Sequence, residues 1–306
     1  MKPAADTPAA AAFTRPAAHG ALMLVAWMYG VNYFVAQEVF AAVPPLAMTA
    51  VRSFAGAACF FLAERLLVRE RIRERGDYVL LFWCALTGAG LNQLFFLWGL
   101  SKTLAVNAAV LMTLSPVFVF VTAALLRTEA ITPVKAAGLL LAFGGALYLA
   151  LGGRKTAFSS QTLAGDLMIL LNAALYGVYL VIVKPLTGRY HPFTILKWIF
   201  AFGALINIPA GLPQLVSVPW TGLPGSVWLG ILFVVGAATL GVYALNSWAL
   251  KHISSAAVGI YIYLQPVITA LLTVLWKRQP LYAYQVWCML LVSAGVFAVS
   301  MRRKRS

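Results

Sequence analysis

Ten apolar segments, each about as long as a bilayer core is thick, occupy nearly all of this 306-residue chain. A helix needs roughly 20 apolar residues to cross the hydrocarbon core of a membrane. Only 10% of the residues are charged, which is far too few to cover the surface of a soluble protein of this length. The pattern predicts an all-α membrane protein with ten transmembrane helices. They are placed at Gly20–Phe40, Leu46–Leu66, Val79–Leu100, Leu104–Leu126, Pro133–Leu151, Leu163–Val183, Phe193–Leu212, Gly225–Leu250, Ser254–Trp276 and Tyr282–Met301.

The last five segments repeat the first five. Three pairs of residues share one offset of 150: Trp98 and Trp248, Pro116 and Pro266, Gly145 and Gly295. In the first helix of each half, Tyr29–Val31 matches Tyr176–Val178. Five crossings are an odd number, so the second copy enters the bilayer from the opposite face, as in inverted-repeat transporters. A count of nine helices would make two matching segments parallel, so we keep ten.

The repeat divides the chain into successive units. We predict a disordered cytoplasmic tail over 1–18, a first five-helix repeat over 19–151 and a linker over 152–162. A second five-helix repeat follows over 163–301, and a basic cytoplasmic tail covers 302–306. One continuous chain holds both halves, so a monomer could suffice for function.

The basic residues are distributed unevenly between the two predicted membrane sides. With the N-terminus placed in the cytoplasm, 17 of the 23 Lys and Arg residues lie on the cytoplasmic side and five on the other, while Arg52 lies within a helix. Basic residues are enriched in cytoplasmic loops, so both termini are predicted to be cytoplasmic. There is no contiguous basic domain, so the net charge of +15 is interpreted as a topology signal and not as nucleic-acid binding.

Several short motifs occur in a fixed order along the first half. They are an aromatic–glycine step at Trp27–Asn32, Arg52 after Pro44 and Pro45, and a run from Pro116 through Leu126–Glu129 to Gly138, Gly144 and Gly145. Their order and duplication resemble the drug/metabolite transporter superfamily, in its ten-helix branch with two EamA-type repeats. The second copy departs from the pattern, since Gln279 stands opposite Glu129. The resemblance implies an alternating-access metabolite carrier of the bacterial inner membrane, often an exporter of amino acids.

Polar residues at mid-membrane depth are costly and therefore need a reason. Those predicted to bind substrate are Asn32, Asn92, Gln93, Asn172, Tyr176, Tyr179, Tyr243, Asn246, Tyr261 and Gln265. One interpretation is a central cavity at the repeat interface whose amides and hydroxyls bind a polar solute. The other is interhelical hydrogen bonding that holds the bundle together. Convergence from five predicted helices favours the cavity.

Four further residues are candidates for a gate or a hinge. Arg52 is a basic residue inside a span, and it either reaches the outer interface or serves an external gate, with Glu38 as a candidate partner. Pro116 and Pro266 are predicted to lie mid-helix, where proline breaks a backbone hydrogen bond. The resulting kinks serve either helix packing or opening.

The acidic residues narrow the class of solute. None of the eight Asp and Glu residues is predicted at mid-membrane depth, which argues against a tight proton relay. It also argues against an organic-cation site, although a multidrug or organic-cation exporter of the same superfamily remains the alternative. A phosphorylated sugar would need a cluster of buried basic residues. A neutral or zwitterionic solute, most often an amino acid, is what remains.

Other functional classes lack a supporting pattern. His19, His191 and His252 lie at predicted helix ends, which disfavours a membrane enzyme. Cys59, Cys84 and Cys288 are scattered among helices without metal-binding spacing, so neither a metal nor a cofactor is predicted. A passive scaffold would not need polar residues at mid-membrane depth. A channel would repeat its polar ring by symmetry, whereas Gln93 aligns here with Tyr243.

Overall fold

The structure is a computed structural model, and its described residues form helices joined by short connections. It describes residues 8–103, 108, 111–128, 132–151, 162–265, 267–268, 271–272, 283, 287, 290–292 and 294–295. No strand occurs among them. The predicted all-α class is confirmed for this part of the chain.

The helices are numbered in chain order. They are α1 (Pro8–Phe40), α2 (Pro45–Val68), α3 (Arg75–Leu100), α4 (Ser115–Leu125), α5 (Pro133–Leu151), α6 (Leu163–Thr187), α7 (Pro192–Ser217), α8 (Gly225–His252) and α9 (Ser255–Ile260). Within the described ranges, α2, α3, α6, α7 and α8 are long and apolar enough to cross a membrane. Most of the predicted tenth helix, Tyr282–Met301, lies outside the described residues, so the total of ten stays a prediction.

The N-terminal segment differs from its prediction. Helix α1 begins at Pro8, whereas the sequence predicts a disordered tail as far as residue 18. The run Ala9–Ala12 provides the physical reason, because alanine has the highest helix propensity of all residues. The ends of α3, α6 and α8 lie within a few residues of their predictions, and α8 begins at the predicted Gly225. In contrast, a turn at Thr113–Leu114 interrupts the helix predicted over Leu104–Leu126.

Two π-helical segments interrupt long helices at matching places in the two halves. One covers Leu86–Gly90 in α3, and the other covers Gly236–Gly241 in α8. Their first residues are 150 positions apart, which is the offset of the sequence repeat. Such segments change the backbone hydrogen-bond pattern and are frequent at functional sites. A further π-helical segment, Glu64–Val68, ends α2.

Pro116 does not lie in the middle of a helix as predicted. A turn at Thr113–Leu114 precedes it, and Pro116 lies in the first turn of α4. Proline is tolerated there because that N–H has no partner within the helix. A 3₁₀ turn at Tyr261–Tyr263 occupies the corresponding place in the second half. Pro266 itself lies outside the described residues.

Helices α2 and α7 are antiparallel and pack along most of their length. An ideal Cβ atom on Gly211 would lie 2.2 Å from the carbonyl oxygen of Leu46, so glycine is what allows this close approach. Further along, Asn207 Nδ2 donates to Ser53 Oγ at 2.8 Å. These contacts pair the beginning of α2 with the end of α7, and they bury a polar bond between the two helices.

Ion pairs and polar contacts gather at one end of the bundle. Glu64 at the end of α2 pairs with Lys197 on α7 at 2.7 Å, and Asp77 on α3 pairs with Arg189 at 2.7 Å. Lys184 donates to the carbonyl oxygen of Leu250 at 2.8 Å, near the end of α8. The connections predicted to be cytoplasmic thus meet at the same end, which we call the charged end.

Candidate substrate-binding cavity

A polar cavity lies where α1, α2, α3, α6 and α8 converge. It leaves about 60 Å³ of space for the centres of water molecules, which is room for a few waters or one small solute. Its described lining consists of Tyr29, Asn32, Arg52, Asn92, Gln93, Phe96, Met112, Asn172, Tyr176, Tyr243, Ile262 and Gln265. Polar and aromatic groups converge here from helices that are far apart in sequence.

Seven of the ten residues predicted to bind substrate line this cavity. They are Asn32, Asn92, Gln93, Asn172, Tyr176, Tyr243 and Gln265. Each of them is buried, with between 2% and 7% of its surface exposed. The structure therefore brings most of the predicted set together, and a role in binding remains a prediction for each residue.

The other three predicted residues, Asn246, Tyr179 and Tyr261, are not among the described lining residues. Asn246 Nδ2 donates to the hydroxyl of Tyr176 at 3.0 Å, so Asn246 holds a lining residue in place. Tyr179 is almost completely buried at 1% exposure. Tyr261 is hydrogen-bonded to Nδ1 of His19 at 2.7 Å, near the beginning of α1.

Asn92 and Asn172 join two helices as well as lining the cavity. The amide nitrogen of Asn92 donates to the carbonyl oxygen of Asn172 at 3.1 Å, and that of Asn172 donates to the carbonyl oxygen of Asn92 at 2.7 Å. These reciprocal bonds connect α3 to α6. For this pair, interhelical hydrogen bonding and cavity lining occur together.

Gln93 and Tyr243 occupy equivalent positions in the two halves and are in direct contact. Gln93 Nε2 donates to the Tyr243 hydroxyl at 3.2 Å, and that hydroxyl donates to the carbonyl oxygen of Gly88. Gly88 belongs to the π-helical segment of α3. The altered backbone of this segment is therefore part of the cavity's hydrogen-bond network.

An aromatic layer separates the cavity from the charged end. The Tyr179 ring lies 6.0 Å from that of Tyr176 and 6.2 Å from that of Tyr243. Phe200 then contacts Tyr243 at 5.0 Å and Phe60 at 5.3 Å between ring centroids. Along α2, Phe60 lies between the cavity and Glu64. The layer therefore places large, buried rings between the cavity and the charged end.

Arg52 lies in the wall of the cavity rather than at the outer interface. It is 5% exposed, and its Nε donates to Thr239 Oγ1 at 2.8 Å. Glu38 is exposed near the end of α1 and does not appear among the described lining residues. Among the described residues, Thr239 and not Glu38 is the partner of Arg52.

Sequence reasoning did not select four described lining residues, which are Tyr29, Phe96, Met112 and Ile262. The repeat could have identified two of them. Tyr29 aligns with the predicted Tyr176 at an offset of 147 residues, and Phe96 aligns with the predicted Asn246 at an offset of 150. Met112 and Ile262 are also 150 residues apart, but neither is polar, so a search for costly mid-membrane residues does not find them.

Ligand sets for metals are not evident in the described residues, where no group of three or more His, Cys, Asp and Glu side chains comes together. The described lining residues offer amides, tyrosine hydroxyls, one guanidinium and aromatic faces. Groups of these kinds are able to bind and orient a small polar molecule.

The chain matches known membrane transporters over most of its length. A model of the EamA-like transporter family matches it twice, over residues 17–151 and 163–301. An "Uncharacterized transporter" from Archaeoglobus fulgidus is 31% identical over 69% of this chain and 75% of its own. A "Probable terminal-alkyne amino-acid exporter" from Streptantibioticus cattleyicolor is 26% identical over 68% of this chain and 67% of its own.

The fold also matches a solved structure. One crystal structure aligns with a TM-score of 0.75, at 20% identity, over 93% of this chain and 96% of that one. At this level of identity the match concerns the fold alone.

Proposed function

This chain belongs to the EamA-like transporter family, and on that basis we propose that it exports small polar metabolites, above all amino acids, by alternating access across the bacterial inner membrane. The observation that carries the proposal is the buried polar cavity between five helices. Transporter sites lie between repeats near the middle of the membrane, on interrupted helices. The family and its named members are transporters, which supports a role of the cavity in binding a transported solute and not in catalysis.

Two inverted five-helix repeats, 19–151 and 163–301, provide the framework of this proposal. Its support is that α2 and α7, which hold equivalent places in the two halves, are antiparallel and in contact. The π-helical segments Leu86–Gly90 and Gly236–Gly241 occur at matching places and both border the cavity network. Alternating access follows when one repeat moves against the other around a fixed central site.

The aromatic layer around Tyr179 and Phe200 is the barrier that opens in this scheme. It lies between the cavity and the charged end, which we assign to the cytoplasm because basic residues are enriched on that side. A solute in the cavity is therefore kept from the cytoplasm in this conformation. Movement of α2 against α7 would separate Phe60 from Phe200 and open the path.

Amino acids are the solute class that these lining groups suit best. Amide and hydroxyl groups offer both donors and acceptors, and one similar protein is named as a probable amino-acid exporter. An organic cation would call for a carboxylate or a dense aromatic cage in the cavity. The described lining contains no carboxylate, but Tyr29, Phe96, Tyr176 and Tyr243 belong to it. The buried positive charge of Arg52 in the same lining repels an organic cation, so the amino-acid proposal is preferred to that alternative.

Transport by the purified protein in liposomes tests the proposal. We expect counterflow of at least one labelled amino acid from a panel of neutral, acidic and basic ones, together with sugars and organic cations. Gln265→Ala should lower that flux severalfold, because it removes an amide from the lining. Ser217→Ala is the control: Ser217 is an exposed polar residue at the end of α7 whose hydroxyl donates to the carbonyl oxygen of Gln214 in the same helix at 2.8 Å, away from the cavity.

The outcomes distinguish the transport proposal from the assignment of its binding site. Lack of flux for every solute of the panel, in protein that remains monodisperse and folded, contradicts the transport proposal. Equal loss in Gln265→Ala and Ser217→Ala contradicts the assignment of this cavity as the binding site.

A further inference from the structure

Arg52 carries a buried charge whose end is open to the cavity. Arg52 lies on α2, is only 5% exposed and lines the cavity. Its Nε donates to Thr239 Oγ1. Within the described residues, the two terminal nitrogens Nη1 and Nη2 have no hydrogen-bond partner and Arg52 forms no ion pair. A guanidinium is always protonated in proteins, so the charge is permanent.

The described acidic residues do not balance this charge. Six of the eight acidic residues lie in the described part of the chain, and each lies away from the cavity. Glu64 pairs with Lys197, Glu74 and Asp77 pair with Arg189, Glu70 accepts from the backbone N–H of His191, Asp166 accepts from Thr162, and Glu38 is exposed. A buried charge is costly unless it is paired and hydrogen-bonded. A bound anion can supply the missing pair.

Thr239 holds the guanidinium in one orientation. Its hydroxyl accepts from Arg52 Nε and donates to the carbonyl oxygen of Val234 at 2.7 Å, so both directions of the hydroxyl are used. Thr239 is buried at 0% exposure and lies in the π-helical segment Gly236–Gly241. With Nε fixed by Thr239, the terminal nitrogens Nη1 and Nη2 remain available to a ligand. Their planar geometry matches the two oxygens of a carboxylate.

We propose that Arg52 binds a carboxylate group of the transported solute, which deepens the proposed function and rests on it. One guanidinium balances one carboxylate, whereas a phosphate monoester carries close to two negative charges. The amide oxygens of Asn32 and Gln93 are buried and have no hydrogen-bond partner among the described residues. They suit the ammonium group of a zwitterionic amino acid. The site therefore selects solutes with a carboxylate over those that carry only an amine.

Competition in the liposome assay tests this selection. The labelled solute is the amino acid with the highest flux. The competitors are its unlabelled form, its carboxamide and phosphoethanolamine, which carries an amine and a phosphate but no carboxylate. We expect the acid to compete at least tenfold better than the carboxamide in the parent protein. Arg52→Gln should weaken competition by the acid about tenfold and leave competition by the carboxamide unchanged, which abolishes the discrimination.

Two further variants keep the test decisive. Thr239→Val retains the charge but removes its anchor, so we expect an intermediate loss of discrimination even if Arg52→Gln folds poorly. Arg71→Gln, which removes an exposed arginine outside the cavity, should behave like the parent protein.

The results distinguish this inference from the proposed function. The carboxylate assignment is overturned if the acid and the carboxamide compete equally, or if phosphoethanolamine competes best. In either case the transport proposal is unaffected. Flux confined to solutes without a carboxylate also overturns the carboxylate assignment. Lack of transport of any solute by the parent protein contradicts the proposed function instead.

Discussion

Gly88 marks a place in the aromatic layer where a side chain has no room. An ideal Cβ atom there would lie 2.4 Å from the ring of Tyr179, which is fully packed and cannot move aside easily. Alanine in place of a helical glycine normally stabilises a protein by roughly 0.5–1 kcal/mol. At Gly88 the clash reverses that sign, because overpacking a tight site costs about 1–3 kcal/mol.

We therefore expect Gly88→Ala to lower the unfolding temperature of the purified protein in detergent. Gly76→Ala is the matched control, since Gly76 lies in the first turn of the same helix with no atom within 4 Å of an ideal Cβ. Thermal unfolding followed by tryptophan fluorescence measures both. Identical unfolding temperatures for the two variants would contradict the tight contact with Tyr179.

Asn246 acts on the cavity through Tyr176 rather than by touching its interior. Its amide donates to the Tyr176 hydroxyl at 3.0 Å. A neutral hydrogen bond is worth about 0.5–1.5 kcal/mol, so Asn246→Leu should raise the KM of transport about three- to tenfold. Tyr176→Phe removes the same bond from the other side. The double variant should be no worse than the poorer single variant, and fully additive losses would show that the two residues act separately.

At the scale of helices, the ion pair Glu64–Lys197 fixes one end of the α2–α7 contact. Its side chains are 7% and 13% exposed, and the distance is 2.7 Å. Removing one partner of a buried pair leaves an uncompensated charge, which costs about 3–5 kcal/mol. Lys197→Met should therefore reduce folded yield strongly, and the exchange Glu64→Lys with Lys197→Glu should restore part of it.

A surface pair supplies the control for this exchange. Glu74 lies 3.7 Å from Arg189 with 71% of its side chain exposed, and exposed pairs contribute at most about 1 kcal/mol. Glu74→Gln should leave the folded yield close to that of the parent protein, measured by size-exclusion chromatography. If Lys197→Met is equally harmless, the pair does not hold α2 against α7.

The helices were predictable because hydrophobic length is a strong signal, and the ends of α3 and α8 lie within a few residues of the prediction. The π-helical segments were not predictable, because no residue type signals where a helix takes up an extra residue in one turn. The search for polar residues at mid-membrane depth identified Gln93 and Tyr243, because burying a polar group is costly. The same criterion could not distinguish Asn246, which bonds the Tyr176 hydroxyl, from amides that line the cavity, because all of them are buried amides. Apolar lining such as Met112 looks like ordinary core.

At the scale of the whole molecule, two ends can be recognised from their contacts. The charged end contains the α2–α3 connection and the α6–α7 connection, joined by the ion pair Asp77–Arg189. The opposite end contains the end of α3, where the Thr103 hydroxyl donates to Asp166 at the beginning of α6. The α1–α2 connection also meets the end of α7 there, through Leu46 and Gln214. A correct topology must place all residues of one end on one membrane side.

Cysteine accessibility in cells tests that placement, once the native cysteines have been replaced by serine. Ser101 and Gly222 are exposed at one end, and Arg71 and Gly188 are exposed at the charged end. Because basic residues are retained in the cytoplasm, an impermeant maleimide should label Ser101→Cys and Gly222→Cys in intact spheroplasts. It should label Arg71→Cys and Gly188→Cys only in inside-out vesicles. A reversed result would place the charged end outside, while labelling that mixes the two ends would contradict the antiparallel arrangement of α2 and α7.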